Sequence, residues 1–289
     1  MANAATTLGT PGKASGARRR DASFSYLIPA LLLVVIFFIV PVLMLLLRSV
    51  TDPHPGLQNY AALLGSTTYL KVFVNTFVVA GLVTVISVVI GYPVAWLLAI
   101  MPERWSRLVL AIIILSMWTN LLTRTYAWMV LLQRTGVINK VLIGIGLIDR
   151  PLTLVNNLVG VTIGMTYIML PFVILPLMGV IRALDPATLR AAALCGATKT
   201  QCFTRVLLPL SMPGIAAGAL MVFVMSLGYF VTPALLGGTS NMMLAELITQ
   251  FVQSLVDWGM GGAAALVLLV VTLALYAVQL RYFNPNRAR

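Results

Sequence analysis

The chain has 289 residues, of which 60% are hydrophobic and only 9% charged, with a mean hydropathy of +1.01. A soluble globular domain is nearer half apolar and a quarter charged, so composition excludes that class and makes lipid the solvent for much of the surface. A formal net charge of +12 points to nucleic acid in a soluble protein, but no basic-aromatic stripe or nucleic-acid motif accompanies it, and basic residues also hold membrane topology.

A bilayer core about 30 Å thick needs about 20 apolar residues of helix, and the chain meets that requirement six times. Residues 1–22, rich in Ala, Gly, Thr and Ser and ending in Arg18-Arg19-Arg20, read as a disordered basic tail. The first span, Tyr26–Leu47, exceeds a secretory-signal core and lacks a following A-x-A site, so it reads as an uncleaved anchor. The second, Val72–Ile100, opens with Asn75 and Thr76, suited to capping its start.

The third span, Leu108–Leu132, contains Arg124. A charge within a span is costly and faces the bundle interior or a water-filled cavity. Equally, Arg124 near the outer helix end snorkels and pairs with Asp149. Tyr126 and Trp128 follow; Trp128 suits an interfacial belt, whereas a cation path would use such rings as cation–π faces. Val137–Ile148 is too short to cross and reads as a helix on the membrane surface or packed into the outer face. Leu154–Val180 is the fourth span.

The segment between the fourth and fifth spans has its own helix signals. Asp185 suits an N-cap and Pro186 the first helical position; good helix formers run from Ala187 to Cys195, and Gly196 supplies a stop. Thr198-Lys199-Thr200-Gln201 fits a capping box for a second short helix, and Pro209 lies where that helix meets the next span. Spacing alone leaves two readings: a helix–turn–helix presented to a partner, or an amphipathic hairpin on anionic lipid. The fifth span, Met212–Leu236, holds Tyr229 near Gly228 and Pro233, where path lining and helix packing are both open. Glu246 reads as part of a solvated loop, while Asp257 beside Trp258 sits at the membrane edge before the sixth span, Gly262–Leu280. Pro29, Pro41, Pro93, Pro171 and Pro176 fall in or near spans, where neighbouring helices can satisfy freed carbonyls.

Placing both termini in the cytoplasm puts thirteen Lys and Arg residues in cytoplasmic segments and five (Arg48, Lys71, Arg134, Lys140 and Arg150) outside, as the positive-inside rule requires. Cys195 and Cys202 then lie in a reducing compartment as free thiols, and the lone His54 lies outside, so no metal set forms. No G-x-x-x-x-G-K-[ST] loop is present to hydrolyse ATP, and no nucleophile triad can be built around one histidine.

The loop resembles the signature of the inner-membrane permeases of binding-protein-dependent ABC importers. Ala191-Ala192, Gly196 with Ala197 beside it, Val206 and Leu208-Pro209 stand in the matching places, flanked by Phe203 and Pro213-Gly214, while Arg190 replaces the family glutamate. Gly91-Tyr92-Pro93, Trp118-Thr119-Asn120 and Arg124-Thr125-Tyr126-Ala127-Trp128 are similar to the spermidine/putrescine branch. The resemblance implies an all-α fold of six transmembrane helices over residues 23–289, with a coupling loop at 182–209 between helices 4 and 5. It also implies a bacterial inner-membrane location, an ATPase dimer that binds the ATP, a second permease subunit and a solute-binding protein. Arg190, Ala191, Ala192, Gly196, Ala197, Phe203 and Pro209 would serve coupling; Arg124, Tyr126, Tyr229, Asp257 and Trp258 are the path candidates. Glu246 would then be solvated or touch the binding protein. A polyamine is the expected solute, with an opine or amino-acid derivative as the alternative. An ion-driven transporter or an exporter is the rival class.

Overall fold

The computed structural model describes residues 28–282, and every regular element among them is helical. The expected tail at 1–22 lies outside the described residues. α1 (Ile28–Thr51) and the short α2 (Gln58–Gly65) precede α3 (Thr67–Ile100). α4 (Glu103–Trp118), α5 (Leu121–Leu132), the short α6 (Val137–Gly144) and α7 (Leu158–Ala183) follow. α8 (Pro186–Leu194) leads into α9 (Lys199–Leu227), and α10 (Val231–Leu236), α11 (Leu244–Thr249) and α12 (Trp258–Tyr282) come last. α1, α3, α7, α9 and α12 are each long and apolar enough to cross a membrane, and the bent run Glu103–Trp118 with Leu121–Gly144 meets the same requirement as a pair, either as one broken span or as a re-entrant loop.

α3, α7 and α9 make the most extensive helix contacts and form the heart of the bundle. Val79 and Val83 of α3 meet Met165, Met169 and Leu177 of α7 and Val222 of α9, all fully buried. Apolar burial gives little drive between helices in lipid, so close packing at small residues has to hold them. At Gly218 of α9 a Cβ would stand 3.0 Å from the Val173 Cα of α7, and at Gly262 of α12 it would stand 2.4 Å from the Leu45 carbonyl of α1. A smaller cluster of Leu63, Val72, Leu244, Leu247 and Phe251 seats α2 and α11 beside α3. α1 contrasts with α7: its most apolar window buries 0% within this chain against 61% for α7.

Two prolines follow widened π turns, Val35–Ile39 before Pro41 and Cys202–Leu207 before Pro209. A proline ring clashes with the carbonyl four residues back, and a π turn moves that carbonyl aside without ending the helix. The second short helix expected after Thr198 is for this reason the first part of α9, continuous through Pro209.

Three expected boundaries are corrected. The third span is not one helix, because α4 stops at Trp118 and the chain turns by 99° before continuing. The side chain of Asn120 accepts from the Leu122 and Thr123 amides, at 2.9 and 3.4 Å, and starts α5 anew. The fifth apolar run also breaks, at 228–230 between α9 and α10. Asn75 and Thr76 do not cap α3, which begins at Thr67; Asn75 donates to the Ser240 carbonyl, and the Thr76 hydroxyl accepts from the Leu244 amide at 2.8 Å. They tie the 239–244 segment to α3. α6 forms where a short helix was expected, with Asn139 wholly buried and Val137, Val141 and Ile143 exposed.

Candidate functional site

The loop between α7 and α9 folds as its residue types dictate. The Asp185 carboxylate accepts from the Ala187 amide at 2.8 Å, and Pro186 occupies the first turn. At the other end the Ala197 amide reaches the Ala192 carbonyl at 3.1 Å and Gly196 adopts φ +85, a left-handed helix stop. Thr198 and Gln201 then exchange the two bonds of a capping box. Arg190, Ala191 and Gly196 are exposed, Ala192 and Ala197 half-buried, and Pro209 is exposed on α9. Leu194 is 89% exposed at the end of α8. Sequence reasoning passed over it, although an apolar residue closing a polar-flanked loop helix was a signal.

Phe203 fastens this loop to the bundle. Its ring meets Tyr92 edge-on at 5.6 Å and Trp96 at 6.2 Å, both on α3. The Tyr92 hydroxyl lies 3.1 Å from that of Ser211 on α9. A cavity of about 510 Å³ opens beneath α8, lined by Trp96, Leu189, Lys199, Cys202 and Phe203 among others. Arg182, at the end of α7, donates to the Leu98 carbonyl and to Ser106, locking the corner between α3 and α4 to the start of the loop. Cys195 is exposed and Cys202 half-buried, and neither is bonded to the other.

A second polar group gathers where the third and fifth apolar runs break. Arg124 donates to the carbonyls of Met117 and Thr119 at 3.2 and 3.0 Å, closing the open end of α4. No ion pair joins it to Asp149 among the described residues; the unsatisfied carbonyls at the break are nearer partners. Its Nε is buried without a hydrogen bond. Thr125 and Thr232 approach at 3.3 Å, joining α5 to α10, and Tyr229 lies beside Thr232 within reach of the Arg124 charge. Tyr126 lies on the exposed face of α5. Trp128 is half-buried and lies 5.4 Å from Tyr167, whose hydroxyl meets Ser116 at 2.8 Å.

The residues before α12 exchange the roles that spacing gave them. Asp257 is exposed and caps α12, accepting from the Met260 amide at 3.0 Å. Trp258 has the Arg48 guanidinium of α1 5.2 Å from its ring centre, so this chain already supplies a cation. Glu246 is not in a solvated loop. It sits in the first turn of α11, half-buried, with its Oε2 shielded and without a partner. Burial pushes its carboxyl above the usual range, opposed by the Met243 amide.

The sequence pattern of the family described as binding-protein-dependent transport system inner membrane component matches residues 61–289. The chain is 38% identical over 215 residues to the spermidine/putrescine transport system permease protein PotB of Salmonella typhimurium, covering 74% of this chain and 75% of that one. It is 36% identical over 232 residues to PotB of Haemophilus influenzae, covering 80% and 79%. Its fold matches a chain of a bacterial alginate ABC transporter, solved in complex with an alginate pentasaccharide-bound periplasmic protein, with a TM-score of 0.74. That match has 20% identity and covers 92% of this chain and 95% of that one.

Proposed function

Because the chain belongs to the family of binding-protein-dependent transport system inner membrane components, we propose that it is one permease subunit of an ATP-driven importer whose solute is polyamine-like. A separate ATPase pair, a second permease and a solute-binding protein complete the machine, and the 186–201 loop faces the cytoplasm. The observation that carries this reading is the loop: an exposed helix ending in Leu194, stopped at Gly196, and fastened through Phe203 to α3. Such a helix has apolar surface to give to a partner and a rigid connection into the bundle.

Closure of the ATPases moves α8, and Phe203 passes that movement to Tyr92 and Trp96 while the continuous α9 carries it across the bilayer. The heart of α3, α7 and α9 moves as a body, and the breaks at 119–120 and 228–230 absorb the change. Arg124 and Tyr229 lie at those breaks. Asp257 and Trp258 are engaged by α12 and Arg48, which leaves Glu246 as the carboxylate with a free oxygen for an ammonium group. The polyamine assignment draws on the substrates named for the two relatives.

Purification in mild detergent is expected to recover an ATPase subunit held through Pro186–Leu194. Vesicles carrying the full assembly should take up labelled spermidine or putrescine when ATP and the binding protein are supplied. A transport-active assembly without an ATPase overturns the importer reading. ATP-driven uptake confined to neutral or anionic solutes overturns the polyamine assignment alone.

A further inference from the structure

The cavity of about 510 Å³ beneath α8 holds the loop helix apart from the bundle to which Phe203 fastens it. Its walls are apolar: Trp96 of α3, Leu189 and Ala193 of α8, and Phe203 and Leu207 of α9. Its polar groups all come from the first turn of α9, where Lys199, Thr200 and Cys202 complete the lining. Lys199 is exposed, and no ion pair engages it among the described residues. The described carboxylates at this end of the bundle are committed elsewhere, Glu103 to Arg107 and Asp185 to the cap of α8. Trp96 lies four residues before the end of α3, about 6 Å along the helix axis. Indole rings at that depth mark the boundary between acyl chains and headgroups.

An ATPase subunit is offered the other side of α8. Ala187, Ala191 and Leu194 succeed one another at spacings of four and three residues along an exposed face. Leu189 and Ala193, four apart, share the opposite face and line the cavity. Water finds few partners against such walls, and a small anion would use Lys199 but none of the apolar lining. An amphiphile satisfies both parts, with an acyl chain against Trp96, Phe203 and Leu207 and a negative head on Lys199. Arg190 and Arg205, exposed on the flanking helices, strengthen the attraction for an anionic headgroup, as basic pockets at the cytoplasmic ends of membrane helices do.

We propose that this cavity binds an anionic phospholipid of the cytoplasmic leaflet, with its phosphate on Lys199 and one acyl chain wedged between α8 and the bundle. The proposal rests on the importer reading above, which puts the loop in the cytoplasm, and adds a means of regulating that loop. Phe203 meets Tyr92 and Trp96 edge-on. Beside that contact the cavity separates α8 from α3, and surfaces that do not touch exchange no dispersion attraction. An acyl chain bridges them and stiffens the path by which a push on α8 reaches α3. ATP hydrolysis is therefore converted into transport more efficiently when the lipid is bound.

The thiol in the cavity reports its occupancy, in full assemblies reconstituted into phosphatidylcholine with or without phosphatidylglycerol. With Cys195→Ser, N-ethylmaleimide should react with Cys202 about fivefold more slowly when phosphatidylglycerol is present, the factor that one basic residue contributes at an anionic surface. With Cys202→Ser, the exposed Cys195 should react equally fast in both lipids, which separates occupancy from surface potential. Lys199→Glu should abolish the protection and keep the fold, since an acid suits the first turn of α9, while Lys199→Arg should preserve it. Uptake per ATP hydrolysed should rise with phosphatidylglycerol in the unmodified assembly and stay flat in Lys199→Glu. Equal rates at Cys202 in the two lipids overturn the site, as does equal slowing of both thiols or protection that survives Lys199→Glu. Protection by glycerol phosphate in phosphatidylcholine alone also overturns it and assigns the cavity to a soluble anion. Should the ATPase shield Cys202 in both lipids, the uptake ratio decides, and a ratio indifferent to phosphatidylglycerol overturns the proposal. An unmodified assembly that imports nothing with ATP and binding protein overturns the importer reading, whereas the labelling rates judge the lipid site separately.

Discussion

At Gly196 the backbone has φ +85, and a Cβ there would meet no atom within 4 Å. Within this chain the demand is therefore conformational, and Gly196→Ala is expected to lower stability by about 1 kcal/mol, the cost of the left-handed region for an L residue. Asn tolerates that region better and should recover part of it. Thermal melts of the detergent-solubilised chain measure this cost. A loss of uptake beyond it reports a clash with the ATPase rather than misfolding, whereas normal uptake removes the turn from the coupling surface. Glu246 gives a prediction of opposite electrostatic character. Its carboxyl is raised above the usual range by burial, so the folded chain holds the proton more tightly than the unfolded one. Stability is then fully retained below the unfolded value and falls as pH rises through the folded one. Melting temperature should decline over that window, and Glu246→Gln should flatten the decline. A variant with the same pH profile as the parent shows that ionisation of Glu246 is not linked to folding. Spacing alone favoured Asp257 over Glu246, because sequence reveals a carboxylate's neighbours along the chain but not whether its second oxygen finds a donor in the fold.

At the scale of the element, the loop was legible because its signals are local: Asp185, Gly196 and the Thr198–Gln201 pair act within one turn of themselves, and all three formed as their residue types require. The breaks were not legible, because averaged hydropathy runs smoothly over Thr119-Asn120 and over Gly228–Phe230. Asn120 was a usable signal, being a strong N-cap type inside an apolar run, and so was Arg124 four residues later, a donor of the kind that carbonyls at a helix end require. The contact of Trp128 with Tyr167 was hidden for a different reason: only the packing of α5 on α7 brings Tyr167 to it. The same packing logic yields a prediction for the heart of the bundle. At Gly218 a side chain must enter the backbone of α7 at Val173, which cannot give as a flexible side chain can. Gly218→Leu should cost about 1–3 kcal/mol, seen as a lower melting temperature and reduced assembly. Gly179, which has open space around its Cβ position, is the control, and Gly179→Ala should be close to neutral. Equal effects at the two positions remove close helix approach as the cause.

At the scale of the whole molecule, the bent pair decides the topology. If α4 and α5 together cross the bilayer, the loop at 186–198 lies on the same side as the corner at Met101-Pro102; if they turn back, it lies on the other. The fold argues for crossing. Arg182, at the end of α7, donates to the Leu98 carbonyl and to Ser106 at that corner. α7 has 26 residues, about 39 Å at 1.5 Å per residue, so its start lies across the membrane from its end. The chain must therefore have crossed between Ser106 and Leu158. With the positive-inside bias added, the expected arrangement has the corner and the loop in the cytoplasm and residues 52–57 outside. The test is labelling of single cysteines in a background where Cys195 and Cys202 are serine, with a reagent that cannot cross the membrane. His54, Lys140 and Lys199 are all exposed and suit the purpose. His54→Cys and Lys140→Cys should react in intact cells, and Lys199→Cys only after the membrane is opened. Labelling of Lys199→Cys in intact cells, with Lys140→Cys protected, makes the bent pair a re-entrant loop. The loop would then lie outside, out of reach of a cytoplasmic ATPase, and the coupling role of α8 would fall with it.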